Sequence, residues 1–392
     1  MKMEIKTLVE LFDARPLKNV LAVELFHPEQ VVYICPRETP EVAEALLRTY
    51  FDYRGVQTAL RFRQVDIYDT DEILALFREI LTQYPDAVVD ITGGTDAVLF
   101  AAGIACSEYG TPVITYSRTQ NRFYSIQNAP SADDLPCDIR FTVEESFLMA
   151  GGLMRKGRVD NDILSGYLDD FDPFFAVYLK YRTRWDRIVT FMQRISPAAE
   201  DGSYSLEVSG GYTVKGDRGS RIPAPEDALR DFGRIGMIRD LEIVPEESVS
   251  FRFRDAQTRT WLRDVGSVLE LYVYKACLDS GLFNDVRTSA VVDWSADGRS
   301  STVSNELDVM CTRGITPVFI SCKTCMVRTE ALNELAILRD RFGGEIARAA
   351  IVTAEPAGSA ARNRAAELNI RVIDLHDLES GEIRQCLESL LR

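Results

Sequence analysis

From Ile5 onward the chain alternates short apolar runs with longer amphipathic stretches. "IKTLVELF" (5–12) reads as a strand. "PLKNVLAVELFH" (16–27) follows as a helix opened by Pro16, whose missing N–H has no partner to lose in a first turn. The alternation continues through "VVYIC", the helix "PEVAEALLRTYFDY", "LRFRQVDI", the helix "DTDEILALFREILTQY", "AVVDI", the helix "GTDAVLFAAGIACSEYG" and "PVITYS". Val- and Ile-rich runs separated by helices of this length predict a mostly parallel α/β sheet with helices on both faces. It occupies residues 1–135.

"NAPSADDLP" (128–136) reads as a loop and the first boundary. In "TVEESFLMAGG", Thr142 and Glu145 have the spacing of a capping box, and the glycine pair ends the helix. A helical region runs to about Ile195, and the Gly-, Ser- and Pro-rich 196–227 is an irregular or hairpin-bearing connector. "DALRDFGRIGMIRDLEIVPEESVSFRFRD" then predicts helix, turn and two strands, so that 136–255 forms a connecting region with a winged-helix-like module as one reading. Residues 256–392 return to α/β alternation: helix, strand, hairpin, strand, helix, strand, helix, strand. The hairpin joins "ELDVMCT" to "TPVFISCK" through "RG".

At 392 residues, the length implies two or three domains. A 46% hydrophobic and 27% charged composition is that of an ordinary soluble protein. No apolar run approaches the roughly 20 residues of a membrane span. "MKMEIKTLVELF" has no signal-peptide layout, and the eight cysteines are scattered, which together predict a reduced, cytoplasmic protein with no membrane partner. The net charge of −15 argues against broad adhesion to nucleic acid, yet leaves room for a local basic groove. With only His27 and His376, a histidine-rich metal site or a histidine-dependent triad lacks material. Chemistry has to run on carboxylates, lysine and metal.

Strand alternation predicts that Glu306 and Asp308 share one face, with Leu307, Val309 and Cys311 on the other. Ser321 and Lys323 share a face of the next strand, so the hairpin brings Asp308 beside both. Glu270 lies on the preceding helix, in "VLELYVYKAC". An acid on a helix, an acid on one strand and a lysine ending the next is the layout of a PD-(D/E)xK nuclease core. Mg²⁺ takes hard oxygen ligands, here Asp308, Glu270 and Glu306, and lowers the pKa of bound water. The lysine orients or deprotonates that water and offsets developing charge. Ser321 stands where the pattern calls for an acid, and Glu306, Glu330 or Glu334 are the substitutes within reach. The competing reading is a half-solvated hairpin carrying ordinary polar residues. Cys322-x-x-Cys325, with Cys311 near, offers half a zinc site, for which inert thiols are the plainer account.

In the first domain, Thr92-Gly93-Gly94-Thr95 turns from strand to helix at the carboxyl end of a strand, where open α/β sheets bind ligands. Asp13–Asn19, with Arg15 and Lys18, is a second loop at the same end of the sheet. A tight turn with two glycines and a solvated first helical turn are the structural alternatives.

"DITGGTDAVLFAAG" resembles the signature turn of CARF domains, the Rossmann-like sensors of cyclic oligoadenylates in type III CRISPR defence. "GSVLELYVYKA", "NELDVMCTRG" and "PVFISCKT" resemble the nuclease half of CARF-fused PD-(D/E)xK effectors, in the matching order. The resemblance implies a CARF sensor, a connecting region and a restriction-endonuclease-like α/β domain. It implies that Thr92, Gly93, Gly94 and Thr95 touch the cyclic nucleotide, with Asp13, Arg15 and Asn19 above it. Asp96 stands where family members often carry a lysine. Asp308 and Lys323 match catalytic positions, Glu270 is the helix acid, and Ser321 replaces an acid. It further implies a homodimer with the activator on its two-fold axis, cyclic tetra-adenylate foremost. Mn²⁺ or Mg²⁺ dependence and cleavage of single-stranded RNA or DNA complete what it implies. Arg313, Arg328, Arg339 and Arg341 are candidates for a phosphate track. Two alternatives are a CARF sensor with a decayed nuclease, and a nucleotide-metabolising enzyme working through Thr95 and Asp96.

Overall fold

The structure, a computed structural model, describes residues 4–39, 41–155, 160–197, 204–294 and 304–391. The first alternating segment folds as β1 (Thr7–Leu11), α1 (Leu21–Phe26), β2 (Gln30–Pro36), α2 (Glu41–Arg54), β3 (Ala59–Val65), α3 (Thr70–Gln83), β4 (Val88–Asp90), α4 (Asp96–Tyr109) and β5 (Val113–Ser117). A 3₁₀ turn over Pro16–Asn19 precedes α1, so the segment read as one helix is two. The five strands are parallel in the order β3-β2-β1-β4-β5, and β1 is buried along its whole length. Two further strands, β6 (Arg122–Gln127) and β7 (Leu135–Pro136), extend the sheet antiparallel. Thus the 128–136 stretch, read as a loop, carries the sheet's last edge. Asn121, at φ +52, makes the β5–β6 reversal without a glycine, which is why that hairpin gave no sequence signal.

The chain then forms α5 (Val143–Met149), β8 (Leu153–Arg155), α6 (Asn161–Leu164), α7 (Leu168–Tyr181) and α8 (Trp185–Ile195). The capping box is present: Thr142 Oγ1 accepts the Glu145 N–H, and the Glu145 carboxylate accepts the Thr142 N–H at 2.7 Å. Arg54 ties this helix to the first domain, donating to Glu24 and to Glu145 at 2.9 Å each. Short strands β9 (Glu207–Gly211), β10 (Thr213–Lys215) and β11 (Arg221–Pro223) lead into α9 (Glu226–Arg234), β12 (Ile238–Val244) and β13 (Ser248–Phe253). Here α9 and the β12–β13 hairpin are the predicted helix, turn and two strands, with β9 added on the other side of β13.

The last segment comprises α10 (Ala256–Leu262), α11 (Ser267–Ser280), β14 (Asp285–Asp293), β15 (Ser304–Arg313), β16 (Thr316–Lys323), α12 (Thr329–Gly343), β17 (Arg348–Thr353), α13 (Ser359–Glu367), β18 (Arg371–Ile373), α14 (Leu375–Glu379) and α15 (Ile383–Leu390). Its six-stranded sheet has the order β18-β17-β16-β15-β14-β8, so Leu153–Arg155 of the 136–255 stretch supply an edge strand. One face packs against α11, in a core continuous with the aromatic cluster of Phe171, Phe174, Trp185 and Trp261. The other packs against α5 and α12 through Phe147, Met310, Phe319, Leu335 and Phe342. No helix among the described residues is long and apolar enough to cross a membrane.

Candidate active site and ligand turn

The hairpin of β15 and β16 turns at Gly314, in the left-handed region at φ +58. Its ladder runs only as far as Val309 opposite Ile320. Beyond that pair, β15 continues against β14 and β16 continues against β17, and the Asp308 side chain lies between them. Asp308 Oδ2 accepts the backbone N–H of Cys322 at 2.6 Å and the Ser321 hydroxyl at 3.0 Å, and Lys323 Nζ lies 3.5 Å from it. The carboxylate thus replaces a main-chain acceptor that the parted ladder no longer offers.

The predicted two-residue alternation does not survive here. Leu307 packs with Met310 and Phe319 on the α12 side, whereas Val309 and Cys311 pack on the α11 side. The break falls at Asp308, opposite Ser289, whose φ of +51 kinks β14. Glu306 and Asp308 therefore do not simply share a face, and Asp308 points into the gap instead.

Across that gap stands Glu270, in the first turn of α11. Asp264 caps the same turn, its Oδ2 accepting the Ser267 N–H and hydroxyl at 2.8 Å each. Glu270 folds back over Gly266 so closely that a Cβ there would sit 2.9 Å from its Oε1. Burial, then the negative charges of Asp308, Asp264 and Glu306, push the Glu270 carboxyl up to about 8, while Lys323 pulls it down. These couplings show that Glu270, Glu306, Asp308 and Lys323 form one electrostatic unit. On the α12 side, Glu334 and Leu335 line a cavity of about 60 Å³ shared with Asp308, Ser321 and Lys323. Asn305 Nδ2 donates to Glu334 Oε1 at 3.4 Å, so of the two helix acids Glu334 reaches the rim.

Three crowded carboxylates are the hard-oxygen donor chemistry that a divalent cation satisfies. Among the described residues, no group of three or more His, Cys, Asp or Glu already surrounds a metal-sized point. The donor types fit such an ion; the coordination geometry is not preformed. Cys322 is buried and its thiol is pushed well up by that burial, whereas Cys325 is exposed, so the pair behaves as separate thiols.

Of the four arginines considered for a phosphate track, three lie elsewhere. Arg313 ends β15 at the hairpin turn, away from Lys323. Arg339 donates to the Leu368 carbonyl at 2.6 Å, and Arg341 to the Ala150 carbonyl at 2.6 Å, so both close packing joints. Arg328 alone is exposed in the loop after Lys323.

In the first domain, Thr92 is occupied by its own fold. Its hydroxyl donates to Asp90 at 2.5 Å and accepts the Tyr116 N–H at 2.8 Å, fastening β4 to β5. Gly93 passes so near β1 that a Cβ would run into the Leu11 carbonyl oxygen, and Gly94 takes φ +91 against the Leu11 side chain. The glycines thus serve close approach to β1, leaving the exposed Thr95 and the start of α4, which has no side-chain cap, facing outward. In the neighbouring loop Asn19 is buried. It accepts the Asp13 N–H and donates to the Asp13 carbonyl, both at 2.8 Å, which closes the loop. Asp13 also holds Lys18 at 2.9 Å. Arg15 points outward and meets Glu345, beyond α12, at 2.7 Å; Arg118, at the end of β5, meets the same carboxylate at 2.5 Å. Neither Arg118 nor Glu345 carries a motif that sequence alone could have singled out.

Residues 257–392 match the family model described as Card1-like, endonuclease domain. No curated protein sequence matches the chain. Among solved structures, Can2 from Sulfobacillus thermosulfidooxidans in complex with cyclic tetra-adenylate superposes with a TM-score of 0.70 at 19% identity, covering 98% of this chain and 99% of that one. Protein VC1899 from Vibrio cholerae gives 0.74 at 17% identity, with 98% of each chain covered. At these identities the likeness shows a shared fold over the full length.

Proposed function

We propose that this protein is a cyclic-oligoadenylate-activated, metal-dependent endonuclease of single-stranded RNA or DNA in antiviral type III CRISPR defence, acting as a homodimer. The observation that carries it is the convergence of Asp308, Ser321, Lys323 and Glu270 in a segment that matches an endonuclease family. The full-length fold shared with a protein solved with cyclic tetra-adenylate supports that ligand as activator. It would seat on the Thr92–Thr95 turn and the Asp13–Asn19 loop, with Arg15 taking phosphate.

Asp308, Glu270 and Glu306 would hold Mn²⁺ or Mg²⁺, which when bound supplies an acidified water and charge neutralisation at the phosphate. Ser321 and the Cys322 amide fix the Asp308 carboxylate in place. Lys323 orients the attacking water and offsets charge on the phosphate oxygens. Arg15 and Arg118, joined to Glu345, connect the ligand loops to the far end of α12, whose Glu334 borders the active-site cavity.

The test is cleavage of labelled single-stranded RNA and DNA with Mn²⁺, with and without cyclic tetra- or hexa-adenylate, for wild type and Lys323→Ala. Ligand-dependent cleavage that drops at least 100-fold in the variant is expected, since positioned acid–base groups contribute about 10²–10⁴-fold. Clean protein that binds the ligand yet never cleaves would replace this reading with the second one, a sensor whose nuclease lapsed at Ser321.

A further inference from the structure

The middle region gave no functional signal in the sequence, yet it brings arginines to the catalytic end of the last sheet. A groove of about 510 Å³ begins one residue beyond Lys323. One wall is the Thr324–Met326 loop, pinned by Thr353 Oγ1 donating to the Cys325 carbonyl at 3.1 Å. The other is the 182–187 stretch, the link from α7 and the first turn of α8, carrying Arg182, Arg184 and Arg187. Arg182 meets Glu355 at 2.9 Å and forms the floor. Arg184 and Arg187 are exposed and three apart, so they project from neighbouring positions of one helical turn. Arg184 lies over the Tyr181 ring at 4.7 Å and has one loose ion pair, 3.6 Å, to the largely exposed Asp227. Facing them, Met326 is 66% exposed, an apolar side chain held at the groove's lip.

Two physical points make this more than a mixed surface. The arginines gather at the N-terminal end of α8, where the helix dipole disfavours positive charge, a penalty that an overlying anion removes. The chain as a whole carries −15, whereas here three arginines balance Asp186, Glu355 and the outlying Asp227, so the groove is locally relieved of the chain's negative excess. A polyanion would meet less repulsion there than the chain's overall charge imposes.

We propose that Arg182, Arg184 and Arg187 form the phosphate track along which a single-stranded nucleic acid reaches Lys323, with Met326 as the platform for a base. This rests on the nuclease reading for its purpose but on the groove alone for binding. Arg184 and Arg187 grip phosphates, and Arg182 shapes the floor. Single-stranded chains leave their bases free for apolar contact, and each phosphate neutralised releases counterions.

The experiment is fluorescence anisotropy of labelled oligo-dT and oligo-U with the full chain in EDTA, across a salt series. It compares wild type, R184A/R187A, R184K/R187K and the distant control Arg78→Ala. We expect the alanine pair to weaken binding about tenfold and to flatten the log–log salt slope by roughly 1.4, at about 0.7 per phosphate for single strands. The lysine pair should keep the slope and Arg78→Ala should match wild type. A wild type that binds neither oligonucleotide, or an alanine pair with an unchanged slope, overturns the track. Preference for one oligonucleotide identifies RNA or DNA as the occupant. Binding lost in the alanine pair while wild type never cleaves with Mn²⁺ and activator would keep the track and remove the nuclease reading.

Discussion

Glu10 and Asp90 show what single residues do beneath the Thr92–Thr95 turn. They are register partners on β1 and β4, and both are fully buried. Asp90 Oδ1 is used by Thr92, but Asp90 Oδ2 and both Glu10 oxygens have no hydrogen-bond partner among the described residues. Burial pushes the Asp90 carboxyl up to about 7, opposed by the Thr92 hydrogen bonds and by Lys18. Burial and then Asp90 push Glu10 well up too. A folded-state pKa above the ordinary 3.8 means the native state binds more protons between about 4 and 7. Stability is therefore full below that window, falls as pH rises through it, and is level above. Asp90→Asn keeps an oxygen for Thr92 while removing the charge. It should raise the melting temperature at pH 8 and flatten the fall between pH 5 and 8, by an amount on the order of 1–3 kcal/mol. Thermal melts at the two pH values check this, and an unchanged slope would assign the pH response elsewhere. Nothing in "AVVDI" shows such a pair, because the partner lies 80 positions upstream and meets Asp90 only through sheet order.

At the scale of elements, the Thr92–Thr95 turn and the β15–β16 hairpin differ in how much the sequence discloses. The turn's place between strand and helix was legible because both elements carry strong periodicity. What the spacing does not disclose is that its glycines make room for β1. Gly93→Ala should push the turn off the Leu11 carbonyl, at about 1–3 kcal/mol of stability, as overpacking generally does. Isothermal titration with cyclic tetra-adenylate and a thermal melt test this together. Unchanged values in both would mean that β1 yields where the contact says it cannot. In the hairpin, Asp308, Ser321 and Lys323 were legible from spacing, since register brings them together whatever their faces. The break in alternation was not, because it depends on Ser289 in another strand adopting a positive φ that serine rarely takes. Ser321 also gains a physical account: a carboxylate at its place, 3.0 Å from Asp308, would add a like charge to a site already crowded enough to hold Glu270 near 8.

For the whole molecule, the proposed function requires that a ligand at the first sheet be felt at the last. Glu345 is the shared partner of Arg15 and Arg118, all three at least half exposed or nearly so. Exposed ion pairs contribute about 0.2–1 kcal/mol each, so this contact is too weak to lock the protein. That weakness suits a contact which a phosphate displaces. On the proposed function, a cyclic oligoadenylate would bring several phosphates to loops that include Arg15, and each arginine it captured would leave Glu345. An equilibrium responds to a ligand only by the difference in its affinity for the two states. Glu345→Ala removes the competitor, so the activator concentration for half-maximal cleavage should fall about two- to thirtyfold, the range two such pairs allow. Arg15→Ala should raise it, because it removes the captured cation along with the clamp. Opposite signs in these two variants are what a competition predicts, and a purely structural bridge predicts the same sign for both. Titrating activator against cleavage rate in the two variants decides between them.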